Sequence, residues 1–243
     1  MTKASTESIV WTEGLILKTF GLNRILEGYP LLQEWLTVEN NLTVEDNQQL
    51  EKRRMKLLKS VNGWNEETLK MKFIAFIVDM VDYDTDDFEG VFEAELKSVV
   101  QGHKLSVVAG YALAKVTLDL IEQPYFYFHE YKPRKKSKDP IAQVLVAMLI
   151  AQQKNEFKRP LYGCAIIGEY WYFMILNGKD YAISDGYIAA KSDDLKAILL
   201  ILRKFKHILL FELGNWFFEL GCVAFEDILI KTHLVPYNLD KDF

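Results

Sequence analysis

Apolar positions along the chain change their spacing twice. Between residues 9 and 37 they recur at helical intervals, as in GLILKTFGLNRILEGYPLLQEWL, with breaks at Gly21 and at Gly28-Tyr29-Pro30. The next stretch, TVENNLTVEDNQQLEKRRMKLLKSV, starts polar and then takes the charge density of a solvated helix. In NEETLKMKFIAFIVDMVDY, residues 65 to 83, Leu69, Phe73, Phe76, Ile77 and Met80 fall on one helical face. Asn65 suits the N-cap, and Glu66 and Glu67 suit the positive end of the helix.

After the acidic stretch between Asp82 and Asp87 the spacing shortens to that of strands. FEGVFEAELKSVV, KLSVVAGYALAKV and PYFYFHEY predict three successive strands in a meander. The basic loop KPRKKSK leads into DPIAQVLVAMLIAQQKNE, a predicted helix with Asp139 at its cap and Pro140 at its first position. LYGCAII then predicts another strand, and strand–helix–strand implies a right-handed parallel crossover. Turns at Gly168-Glu169 and Asn177-Gly178 bracket YWYFMIL, the second being a strong hairpin signal. SDDLKAILLILRKFKHILL returns to helix behind a serine cap, and the polar end VPYNLDKDF is expected to fray.

These elements predict an α/β chain in three parts: an N-terminal helical extension over 1–60, a core over 61–210, and a C-terminal helical tail over 211–243 packed on the core. Charge and cysteine content narrow the possible settings. The 29 Lys and Arg against 34 Asp and Glu leave a net charge of −5, which argues against a generally cationic nucleic-acid coat. Cys164 and Cys222 make neither a disulfide framework nor a zinc spacing, which fits a reducing cytoplasm. The start MTKASTESIVWTEG lacks the pattern of a signal peptide, and the most apolar windows are too short or too charged to span a membrane.

The strand PYFYFHEYKP raises a chemical question. Alternation places Phe126, Phe128, Glu130 and Lys132 on one face and Tyr125, Tyr127, His129 and Tyr131 on the other. Two charges at the end of an apolar stripe are either an ion pair at the end of a sheet or the floor of a site. By the same alternation His129 points away from Glu130, which suits packing better than proton transfer. Tyr170, Trp171, Tyr172 and Phe173 fall in a predicted strand and read as sheet packing. The run Asp82, Asp84, Asp86 and Asp87 lacks the glycine and distal glutamate of an EF-hand.

From Trp64 to Leu209 the order of elements resembles the PD-(D/E)XK nuclease superfamily, the restriction-endonuclease-like fold, in a bacterial branch. The resemblance rests on Glu66 opening a helix, Glu130-Tyr131-Lys132 as E-x-K, Gln143 on the DP..Q helix, and LYGCAIIGEYWYF as the following hairpin. It implies a mixed sheet flanked by helices and a Mg²⁺-dependent phosphodiester hydrolase, with Mn²⁺ as a substitute. Glu130, Lys132 and Gln143 would be catalytic, and Glu66 and Glu130 would hold the metal. Arg134, Lys135, Lys136 and Lys138 would meet the DNA backbone.

One position departs from the pattern. The family's strand aspartate falls on Gly110, and no carboxylate occurs between Glu95 and Asp119. The sequence therefore points first to a catalytically impaired nuclease-like protein that binds nucleic acid or a protein partner. A working nuclease with a migrated ligand, such as Glu66, Glu95 or Asp119, is the alternative. A third possibility is a structural protein or homo-oligomer joined through its N-terminal helices and the apolar tail around Trp216, Phe217 and Phe218.

Overall fold

The computed structural model describes residues 10–85, 88–117, 120–134, 139–155 and 159–219. Its elements, in chain order, are α1 (Glu13–Phe20), β1 (Asn23–Arg24), α2 (Pro30–Leu36), α3 (Val44–Ser60), α4 (Glu66–Leu69), a π-helical turn (Lys70–Ile74), α5 (Ala75–Asp79), β2 (Phe88–Val100), β3 (His103–Thr117), β4 (Leu120–Lys132), α6 (Pro140–Lys154), β5 (Leu161–Ile167), β6 (Tyr170–Asn177), β7 (Asp180–Ile183), β8 (Tyr187–Ile188) and α7 (Ser192–Glu219). The strands form one mixed eight-stranded sheet in the order β1-β7-β6-β5-β4-β3-β2, with β8 also on β6. β4 and β5, joined through α6, run parallel. The chain is thus an α/β protein with a mixed sheet flanked by helices.

Helices cover both faces of the sheet. On one face Trp35 of α2, Leu57 of α3, Phe73, Ile77 of α5 and Phe205 of α7 pack with Tyr127, Trp171 and Phe173. The other face carries α1 and α6, where Ile16, Phe20 and Met148 meet Ala112, Phe128 and Met174. From Ala142 to Ala151 only Gln143 in α6 escapes burial, as its nearly continuous apolar run requires of a helix covered on two sides. Glycine at 163 lets α6 approach closely, since a Cβ there would lie 2.7 Å from Met148 Cε and 2.8 Å from Val144 Cγ1.

The N-terminal helices share their core with the rest of the chain, and α7 supplies much of the connection. This helix has 28 residues, about 42 Å of length. Trp35 Nε1 donates to the Ile201 carbonyl at 3.0 Å and the Tyr83 hydroxyl to the Leu202 carbonyl at 3.1 Å. Arg203 donates to both oxygens of Asp46, which also closes the capping box of α3 with Thr43. Lys204 donates to the Thr37 and Glu34 carbonyls at the end of α2, and Lys206 to the Asp82 carbonyl.

Four local expectations change. A bulge interrupts β4: Leu113 pairs with Tyr127 but Ala114 with Tyr125, so the simple alternation fails at residue 126. Tyr125 therefore joins Phe128 on the α6 side, and the Asn155 side chain satisfies both its N–H and its carbonyl. The β6–β7 loop is Gly178-Lys179, because Asn177 still pairs with Asp180, and Gly178 takes the positive φ of 62°. A π-helical turn divides the helix that begins at Glu66. Finally, α7 runs through residues 210 and 211, so a boundary there lies inside a helix. The expected fraying end at 235–243 lies outside the described residues.

Candidate functional site

The end of β4 brings the E-x-K residues to the first turn of α4. Asn65 caps that turn by accepting from the Thr68 N–H at 2.8 Å, which fixes Glu66 and Glu67 at the helix start. Lys132 Nζ lies 2.5 Å from Glu130 Oε1 and 2.9 Å from Glu66 Oε1. Glu130 and Lys132 are buried, whereas the Glu66 side chain is 41 % exposed. The second Glu130 oxygen, Oε2, accepts from the Gly110 N–H at 3.1 Å.

Gly110 has a structural reason to lack a side chain. A Cβ there would sit 2.6 Å from Tyr131 Cε1 and 2.9 Å from its Cζ. The Tyr131 hydroxyl lies 2.9 Å from both the Gly110 carbonyl and Glu93 Oε1, and shares its one proton between them. Glu93 adopts φ 56° within β2, and Lys70 Nζ bridges it to Glu67 at 3.0 and 2.8 Å. Tyr131, Glu93 and Lys70 are not among the site residues that the sequence singles out, and Glu67 enters there only as a charge suited to the helix start. Glu67 and Lys70 carry a local signal, being three residues apart on a helix. Glu93 carries none, because only the tertiary fold brings it to Tyr131.

The charges at this site are set by burial and by close partners. Burial pushes the Glu130 carboxyl upward, against the pull of Lys132 and the Gly110 N–H. Burial also draws the Lys132 ammonium downward, but its bonds to Glu130 and Glu66 more than reverse this, so its pKa stands above the usual lysine value. His129 is fully buried on the other side of β4, 2.6 Å from the Tyr127 hydroxyl, and desolvation lowers its pKa to about 3. It is a neutral packing residue.

The other sequence candidates make no hydrogen bond to Lys132, are engaged elsewhere or fall outside the described residues. Gln143, in the first turn of α6, has a buried Oε1 with no partner among the described residues, and none of the bonds to Lys132 comes from it. Arg134 is bound through two nitrogens to the buried Glu169 and through a third to Asn62. Glu95 is exposed and paired with Lys97 at 2.8 Å. Lys135, Lys136, Lys138, Asp86, Asp87, Asp119 and Cys222, and the side chains of Phe126, Trp216, Phe217 and Phe218, lie outside the described residues. In the aromatic hairpin, Trp171 and Phe173 are fully buried and Tyr170 is half-exposed, as sheet packing requires.

These donors do not fit Mg²⁺, which takes six oxygen ligands at about 2.0–2.1 Å. The Glu130 and Glu66 oxygens converge on an ammonium, Gly110 supplies no carboxylate, and its carbonyl already accepts from Tyr131. Among the described residues no group of three or more His, Cys, Asp or Glu side chains could hold a metal ion. Nor does any described helix have the length and apolarity to cross a membrane. No protein-family model matches the chain, and no curated protein matches it.

Proposed function

We propose that the chain is a PD-(D/E)XK nuclease-like protein whose hydrolytic site has closed and which acts by binding. The observation that carries this reading is the position of Lys132, wedged between Glu130 and Glu66, with Gly110 at the place of the strand aspartate. Hydrolysis would need a hard cation to polarise the phosphate and activate a water. Here the two acidic side chains best placed to hold such an ion already face an ammonium group. An active enzyme with a migrated ligand is less well supported, because Glu66 already faces Lys132 and Glu95 faces Lys97 in solvent; its third candidate, Asp119, lies outside the described residues.

Of the two kinds of partner, a polypeptide suits the site better than a phosphate backbone. Among the described residues the rim presents Glu66, Glu67 and Glu93, all at least two-fifths exposed, while Lys70 and Lys132 are buried and paired. A carboxylate rim repels phosphate. The test is cleavage of plasmid and single-stranded DNA with Mg²⁺ or Mn²⁺, run for wild type and Lys132→Ala. Neither protein should cut. Cleavage by the wild type that disappears in Lys132→Ala would overturn the proposal and make the chain an enzyme.

A further inference from the structure

Two buried lysines near the site are each held between carboxylates of different elements. Lys132 joins Glu66 of α4 to Glu130 of β4. Lys70, which opens the π-helical turn, joins Glu67 of α4 to Glu93 of β2. The two bridges meet at the Gly110 peptide of β3, whose N–H binds Glu130 and whose carbonyl binds Tyr131, and Tyr131 reaches Glu93. Followed in order, the bonds make a ring that leaves α4 at Glu66 and returns to it at Glu67.

We propose that the two lysines are built-in cations and that the ring is a clamp fastening the first turn of α4 to β2, β3 and β4. The Lys132 ammonium stands between Glu66 and Glu130, the two carboxylates that the nuclease resemblance assigns to a divalent metal. Its two acidic partners present oxygens at most about 5.4 Å apart, the sum of their distances to Nζ. A metal taking both of these oxygens would compete with the ammonium that already engages them. The clamp also has a local purpose, since α4 is only four residues long before its hydrogen bonding shifts to the π pattern. A helix whose regular hydrogen bonding is interrupted one turn in leaves that first turn more dependent on tertiary bonds. The inference rests on the bonds in the ring, and holds whether or not the sheet is related to nucleases.

The experiment compares full-length wild type, Lys132→Met, Glu66→Gln and the pair Lys132→Met/Glu130→Gln by thermal unfolding and amide hydrogen exchange. Wild type should melt at the same temperature in EDTA and in about 10 mM Mg²⁺ or Mn²⁺, because no open cation site exists among the described residues. Lys132→Met should speed exchange at residues 66–70 by about tenfold or more and lower the melting temperature. The second substitution, Glu130→Gln, should restore part of that loss by removing the stranded buried charge. If Lys132→Met does not fold, Glu66→Gln keeps the buried pair and should still speed exchange at residues 66–70. A saturable rise in the wild-type melting temperature with Mg²⁺ or Mn²⁺ would overturn the proposal. So would unchanged exchange at residues 66–70 in Lys132→Met and Glu66→Gln. Neither readout involves DNA, so failure here is distinct from failure of the cleavage test.

Discussion

Adding one methyl group at Gly110 tests how tightly the Tyr131 ring packs over this residue. The backbone at Gly110 does not have a positive φ, so alanine carries no conformational penalty and the effect isolates sterics. The new Cβ would lie 2.6 Å from Tyr131 Cε1, far inside the ~3.5–4.0 Å of a carbon contact. Tyr131 is 1 % exposed and cannot swing into open solvent. Overpacking of this kind costs about 1–3 kcal/mol. Displacing the ring also weakens the hydroxyl bonds to Gly110 and Glu93, worth about 1 kcal/mol each. Gly110→Ala should therefore destabilise the protein by about 3 kcal/mol, read from the urea midpoint at constant slope. In a Tyr131→Ala background the same change should cost less than about 1 kcal/mol, because the obstructing ring is gone. Equal costs in the two backgrounds would refute the argument. The same geometry means that Gly110→Asp alone would collide with Tyr131, so placing a carboxylate here requires a smaller residue at 131 as well.

Two further outcomes follow from buried charges. Arg203 and the Thr43 N–H hold the Asp46 carboxyl down to about 2, below the ordinary 3.8. Its contribution is thus full above pH 4 to 5 and lost as pH falls toward 2. With Arg203 partly exposed, this amounts to on the order of 1–2 kcal/mol, and Asp46→Asn should flatten the acid limb of stability against pH by that much. Arg134→Ala strands Glu169, whose side chain is 3 % exposed, and should cost about 3 kcal/mol, with partial recovery in Arg134→Ala/Glu169→Gln. A gel-shift measurement should find its DNA affinity unchanged; lost affinity without lost thermal stability would instead make Arg134 a nucleic-acid contact.

Much of the architecture could be read from local signals, because those signals agree with the tertiary structure. Asn65 and Asp139 cap helices as their sequence positions imply, and Pro140 occupies the first position of α6. The strand–helix–strand crossover is the parallel β4–α6–β5 unit. At the site, the pattern placed Glu66, Glu130, Lys132 and Gly110 together, and their bonds connect them. What it could not supply were the effects of distant neighbours. The bulge at residue 126 is a matter of register with β3, and Glu93 reaches Tyr131 across 38 residues of chain. Arg134 looked available in a basic run because its partner Glu169 lies on another hairpin. Isolated charge runs do not reveal which charges are already satisfied.

The contacts of α7 also bear on the order in which the protein can be completed during synthesis. Asp46 and Arg203 are 157 residues apart, and Lys204 and the Glu34 carbonyl 170. The helices at the start of the chain emerge first, but the groups that bind Trp35, Asp46 and the end of α2 are among the last of the described residues to be made. Until then Trp35 lacks its acceptor at Ile201, and the apolar sides of α2 and α3 have no finished surface to meet. Pairings across so much chain form late, after costly loop closure. Until those pairings form, apolar residues such as Trp35 and Leu57 lack partners that bury them in the finished fold, which is the kind of exposure that favours aggregation.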